Sequence, residues 1–259
     1  MDVVKYNSGA WDAEVERGSE WARPVTAEEI ERARAGDFSI ILTPLKPVPR
    51  EWFPTELRGL DTLCLASGGG QQVPILAAAG ANVTSFDNSN KQLELDGMVA
   101  EREGLDIRLE QGDAADMSRF NDETFDLIWH PCSNGFMPDL EPVWNEAFRV
   151  LRKGGTLLSG FHNPVLFIFD REKDEKEKVL EVRYSLPFSD IKDLDKEHLE
   201  KYKANNEPLE YGHTLEQQIG GQINAGFVID RFFEDYWSDE ATTLNKYTPT
   251  FIATRARKL

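Results

Sequence analysis

The sequence predicts an α/β fold: a mostly parallel seven-stranded sheet with helices on both faces, an N-terminal cap and an insertion after strand 5. Three observations carry this expectation. Between residues 60 and 162, short apolar runs alternate with helical patterns, as parallel βαβ units do. The glycines Gly68, Gly69 and Gly70 join the first apolar run to the first helix of that region. Two more strand-like runs follow a charged stretch near the C-terminus. A chain of 259 residues can bury one large core, so a single domain is expected.

Residues 1–59 are polar and aromatic by turns, with Trp11, Trp21 and Trp52, and show one clear helix. Thr26 and Glu29 form a capping-box pair ahead of Ile30 and Ala33, and Gly36 supplies a stop. Thr43 to Pro49 carries three prolines and reads as an extended, stiff connector. The strands are expected over Thr62–Ala66, Asn82–Asp87, Ile107–Gln111, Phe125–His130 and Thr156–Phe161. Helices start near Gln72, Ser89 and Leu140. The last of these places Leu140, Val143, Trp144, Ala147, Phe148 and Leu151 on one face, with Arg152 and Lys153 suiting its C-terminal dipole and Gly154 its stop. Residues 163–212 break the alternation with the charge run Asp170–Lys178 and a strand candidate, Val179–Leu186, and read as an inserted lid. Residues 213–259 return to regular structure, with a helix capped by Thr214 and Gln217 and strands over Phe227–Phe233 and Thr250–Arg255.

The formal charge of −17 argues against nucleic acid as a substrate, because the field of the protein repels phosphates. No apolar run is long enough to span a bilayer, and no cationic segment leads into an apolar stretch at Met1, which points to the cytoplasm. Cys64 and Cys132 have neither metal-ligand spacing nor the numbers of a disulfide framework, so neither a metal nor a disulfide is expected. The sequence does not speak to oligomeric state.

The stretch Asp61–Pro74 is the most informative. An apolar strand leads through Ala66-Ser67-Gly68-Gly69-Gly70-Gln71-Gln72 into a helix, so a ligand can lie against bare backbone and against the N–H groups of a helix start. A dinucleotide fingerprint beginning at Gly68 would need glycine where Val73 stands. Asp87 ends the second strand 19 residues after Gly68, where a carboxylate can accept from both hydroxyls of a ribose. Ser89 and Gln92 form a capping box of their own, which leaves Asp87 free of that duty.

The ordered set of glycine loop, Asp87, Gly112-Asp113, Phe125-Asp126-Leu127-Ile128 and Arg149-Val150-Leu151-Arg152-Lys153-Gly154-Gly155 resembles the class I S-adenosylmethionine-dependent methyltransferases, with their Rossmann-like fold. The resemblance covers residues 60 to 162. Its loop departs from the commonest, acid-containing version and looks like that of a subgroup of small bacterial methyltransferases with a Ser-Gly-Gly-Gly-Gln-Gln loop. What the resemblance implies is S-adenosyl-L-methionine as cofactor and S-adenosyl-L-homocysteine as product. The backbone around Ala66, Ser67, Gly68 and Gly70 would hold the methionine part and Asp87 the ribose. Asn88 would flank the adenine, and Asp113 with the backbone of Ala114 would read its edge. Gln92 and His130 complete the expected cofactor set.

Methyl transfer is a displacement at a sulfonium carbon, which positioning alone accelerates greatly, so a base is optional. His130, opening a polar loop at the end of the fourth strand, and His213, just before the Thr214 helix, are the leading base candidates, with His162 behind them. Each can equally be an anchor of the fold. His198 lies among charges and reads as solvated, and Cys132 reads as loop packing. Tyr6, Trp11 and Trp21 are expected to pack down on the domain, either over the mouth of the site or as simple surface packing. A small-molecule acceptor fits the composition. A non-catalytic S-adenosylmethionine-binding protein and a nucleotide-cofactor oxidoreductase stand as alternatives.

Overall fold

The computed structural model describes residues 1–238 and 240–259. Its main sheet runs β3-β2-β1-β4-β5-β9-β8. These strands are β1 Asp61–Leu65, β2 Asn82–Asp87, β3 Ile107–Gln111, β4 Phe125–His130, β5 Leu151–His162, β8 Val228–Asp235 and β9 Phe251–Arg257. All pairs are parallel except those of β9, which runs antiparallel to both β5 and β8. The order reverses between β1 and β4. A crevice forms at the C-terminal ends of strands at such a reversal, and that is where open α/β sheets take their ligands.

Side chains alternate across the sheet, so both faces are apolar and both are covered. Cys64, Leu127, Trp129 and Leu158 belong to one core, and Leu63, Leu65, Ile128 and Leu157 to the other. Helices α3 (Gln72–Ala78) and α4 (Asn90–Glu103) contribute to the first, α5 (Glu141–Val150) to the second. The segment ahead of β1 is part of the first core: Ile30 and Ala33 of α2 (Ala27–Arg34) are fully buried in it, and Phe53 stacks on Trp129 at 5.7 Å. The Thr26–Glu29 capping box is present in both directions.

The structure corrects several local expectations. A second N-terminal helix, α1 (Val3–Arg17), begins at the cap Asp2 and ends at left-handed Gly18. Its buried face is Asn7 and Ala10 rather than an aliphatic stripe, which is why the pattern hides it. The proline connector folds back on itself instead of running extended. Ile41 bridges Pro47, and the Asp235 carboxylate accepts from the Thr43 hydroxyl and from the Leu45 and Lys46 N–H groups. Helix α5 stops at Val150, because Leu151 is already extended and paired with Phe125 in β5. Arg152 therefore leaves the helix to pair with Asp61 and Asp126, and left-handed Gly154 sits in an irregularity of β5.

Within the insertion, Asp170 caps α6 (Arg171–Glu177). The short strands β6 (Phe188–Ser189) and β7 (Tyr211–Gly212) pair around α7 (Asp190–Asp193) and α8 (Lys196–Ala204). The strand expected over Val179–Leu186 is absent among the described residues, where Val182 makes one isolated bridge to Phe169. Thr214 and Gln217 cap each other ahead of a single π turn that runs into α9 (Gly221–Ala225). No helix among the described residues is long and apolar enough to cross a membrane.

Candidate active site

The turn from β1 into α3 is held from beneath. The Gly68 N–H donates to Asp87 Oδ2 at 3.0 Å, the Gly69 N–H to the Gln92 carbonyl at 3.0 Å, and the Gly70 N–H to Asp96 Oδ1 at 2.7 Å. All three glycine N–H donors thus anchor the loop to β2 and α4. Gly69 and Gly70 have φ of +124° and +74°, a region side chains rarely adopt, and a Cβ on Gly69 would sit 2.6 Å from the Trp21 carbonyl.

Above the loop opens a cavity of about 360 Å³. Ala66, Ser67 and Gly68 form its floor, and Asp87, Asn88 and Gln92 its next wall, with Asp113 and Ala114 closing that end. Gly70, His130 and His213 are not among its lining residues. Gly112 lets β3 pass so close to Phe86 that a Cβ there would come within 2.4 Å of the ring.

Asp87 is buried and already carries two structural hydrogen bonds, from Gly68 and from the Ser89 N–H to Oδ1 at 2.9 Å. Burial pushes its carboxyl above the ordinary range, against the opposing pull of the Ser89 and Gly68 N–H groups. The Ser89–Gln92 box is half formed: Ser89 Oγ accepts from the Gln92 N–H, but Asp87 fills the return half that a Gln92 side chain would serve. The Gln92 amide is left buried with Oε1 unpartnered, as is Gln72 Oε1, and both residues line the cavity. Buried acceptors without partners at a cavity wall are places for a ligand's donors. Asp113 spends Oδ1 on the Ala115 N–H at 2.9 Å and keeps Oδ2.

The histidines separate clearly. His130 is fully buried with both ring nitrogens engaged, Nδ1 at 3.0 Å from the Leu65 carbonyl and Nε2 at 2.6 Å from the Asn134 amide, which continues to Gln218. His213 donates from Nε2 to the Met137 carbonyl at 2.8 Å and stacks against Tyr211. Both therefore tie loops together. His162 does line the cavity, with Nδ1 buried and unpartnered, and its ring packs on Phe251 and Phe167. Burial lowers the pKa of all three rings, so they are held neutral. His198 lies on α8 against Asp195, away from the cavity.

The end of the cavity beyond His162 was not foreseen. Trp237 and Phe251, edge to face at 5.4 Å, wall it from the C-terminal region. Arg171 and Glu210, an ion pair at 3.1 Å, wall it from the insertion, and Glu210 is the main influence raising the Arg171 pKa. In the sequence Arg171 is simply the second residue of the Asp170–Lys178 charge run. Helix α1 closes the near side with Val4, Trp11 and Glu14. It is pinned by Ser8 Oγ donating to the Asn88 carbonyl and by Asp12 accepting from Ser89 Oγ and the Lys91 N–H. Trp11 and Trp21 line the cavity, whereas the Tyr6 hydroxyl donates to the Glu207 backbone carbonyl in the insertion. Among the described residues no cluster of His, Cys, Asp and Glu could hold a metal ion.

A seven-stranded sheet of this order with a cavity at the β1/β4 reversal defines a class of protein, and comparison with known proteins agrees. A family model described as "Methyltransferase domain" matches residues 63–159. The chain belongs to the class I S-adenosylmethionine-dependent methyltransferases. In particular, it is 51% identical over 257 residues, 99% of each chain, to the uncharacterized methyltransferase YbaJ of Bacillus subtilis (strain 168). It is also 38% identical over 100 residues to the sterol 24-C-methyltransferase erg6 of Aspergillus fumigatus, a stretch covering 38% of this chain and 26% of that one. The fold is similar to that of the S-adenosylmethionine-dependent methyltransferase from Mesorhizobium loti, with a TM-score of 0.58 and 19% identity over 80% of this chain and 94% of that one.

Proposed function

We propose that this methyltransferase holds S-adenosylmethionine at the Ala66–Gly68 end of the cavity and methylates a small, largely apolar molecule at the end walled by Trp237, Phe251 and His162. One observation carries the reading: a single cavity joins the two sets of residues. Asp87, through the lone pairs its structural bonds leave free, would take the ribose hydroxyls. Asn88, Asp113 and Ala114 would take the adenine, and Gln92 Oε1 a donor of the ligand. The unpartnered Gln92 and Gln72 oxygens fit such a group. When bound, the cofactor supplies a methyl carbon on a cationic sulfur.

The chain's own task is then to place the acceptor atom in line with that carbon and to exclude water. The aromatic walls do the first by stacking, and α1 and the insertion, read as cap and lid, do the second. Where the acceptor atom carries a proton, His162 is the neutral ring that lines the cavity to receive it. The sterol named for the Aspergillus relative is a small-molecule precedent. Both cysteines are free thiols, which suits a reducing cytoplasm.

The test is to incubate the protein with S-adenosylmethionine and a cell extract split by size, and to follow S-adenosylhomocysteine. The low-mass fraction alone should support its formation. Formation only with the macromolecular fraction would overturn the acceptor class. In a melting assay S-adenosylhomocysteine should stabilise the protein and NAD should not.

A further inference from the structure

A carboxylate that the reading above does not use lies directly beneath the glycine loop. Asp96 stands on the inner face of α4 with no exposed surface, and its two oxygens are spoken for: Oδ1 accepts from the Gly70 N–H at 2.7 Å and Oδ2 from the Ser85 hydroxyl at 2.7 Å. No cation offsets its burial: backbone N–H groups, the Ser85 hydroxyl and a second acid, Asp87, surround it. The titratable groups that face it are the Asp87 carboxylate at the end of β2 and the Cys64 thiol of β1. Helix α3 brings none, and Arg23 and Arg102, beside the Pro24–Val25 strap that meets Gly70, are exposed. Structural support alone would be served by an uncharged side chain at this position.

We propose that Asp96 is a positioning residue for the cofactor, fixing the loop through Gly70 and, when ionised, setting a negative charge under it that favours the cationic sulfonium cofactor over its neutral thioether product. The proposal rests on the loop being the cofactor site. Burial pushes the Asp96 carboxyl up to about 7, so its charge changes near neutral pH. In the protonated state the acid still accepts from Gly70 and turns its own O–H toward Ser85 Oγ, so the loop keeps its shape while the charge disappears. Below neutrality the site then distinguishes the two ligands less, and above it more.

The experiment is titration calorimetry of S-adenosylmethionine and S-adenosylhomocysteine on the full chain, at about pH 6 and about pH 8, for wild type, Asp96→Asn, Asp96→Ala and Ser85→Ala. In wild type the preference for the sulfonium should rise by ~3-fold or more between the two pH values. In Asp96→Asn, which keeps the shape and cannot ionise, it should stay level. Ser85→Ala removes a donor that favours the ionised form, so the rise should move to higher pH. Asp96→Ala should weaken both ligands by ~10-fold or more. Circular dichroism checks that each variant is folded. The same pH response in wild type and Asp96→Asn overturns the proposal, as does full affinity in a folded Asp96→Ala. Wild type binding neither ligand at either pH would instead overturn the loop assignment on which the proposal rests.

Discussion

Replacing Asp87 by alanine should cost the protein stability as well as cofactor affinity. Its oxygens accept the Gly68 N–H at 3.0 Å and the Ser89 N–H at 2.9 Å, and truncation leaves both donors without an acceptor. An orphaned buried donor costs ~1–3 kcal/mol. Gly68 lies on the cavity, where water can replace the lost acceptor, while Ser89 is fully buried and bears the full cost. Removing a carboxylate that burial disfavours returns part of this. The net loss should be ~1–3 kcal/mol in urea unfolding. Loss of the ribose contact adds a 10- to 150-fold weakening of S-adenosylhomocysteine binding, corresponding to ~1.5–3 kcal/mol for a charged hydrogen bond. Asp87→Asn recovers at most one structural bond, because its amide NH₂ faces the second N–H donor. Weakened binding at full stability would refute the anchoring role, and reduced stability with unchanged affinity would refute the ribose role.

Three further predictions follow from the same geometry. The native state retains the Asp96 proton between about pH 4 and about 7, where the unfolded chain has released its own. Wild type should therefore lose stability relative to Asp96→Asn as pH rises through that window, by at most ~4 kcal/mol, and a constant difference across pH would refute the buried charge. If the acceptor atom carries a proton, His162→Asn should lower kcat by ~100-fold or more with S-adenosylhomocysteine affinity unchanged, and an unaltered kcat would remove His162 from the chemistry. Replacing residues 171–207 by a short Gly/Ser linker should abolish turnover and leave cofactor binding largely intact. Loss of affinity in a folded variant would assign the insertion to the cofactor site.

What the sequence shows is what periodicity and turn chemistry encode. β2, β3 and β4 fall where expected because each is a short run bounded by polar residues or glycine, and the Thr26 and Thr214 caps are visible because a capping box is local. The boundary at Leu151 is lost because a helix stripe continues smoothly into a buried strand, and no local residue marks the change. Helix α1 is lost because polar bonds dock it: Asn7 pairs with the carbonyls of Phe136 and Leu209 and the N–H of Leu209, partners about 130 and 200 residues away.

The histidines are indistinguishable in sequence, since burial and unseen carbonyls decide which one is free to act. Asp96 differs from all of these because its signal is present in the chain. On α4 the buried positions are Gln92, Leu93, Asp96, Val99 and Ala100, so an acid occupies a helix face that otherwise meets the sheet. A carboxylate at such a position must find donors or lose its charge, and the donors that reach it are those of the glycine loop and Ser85. An acid out of place in an apolar stripe, one helix after a glycine loop, thus points from α4 back to the ligand site.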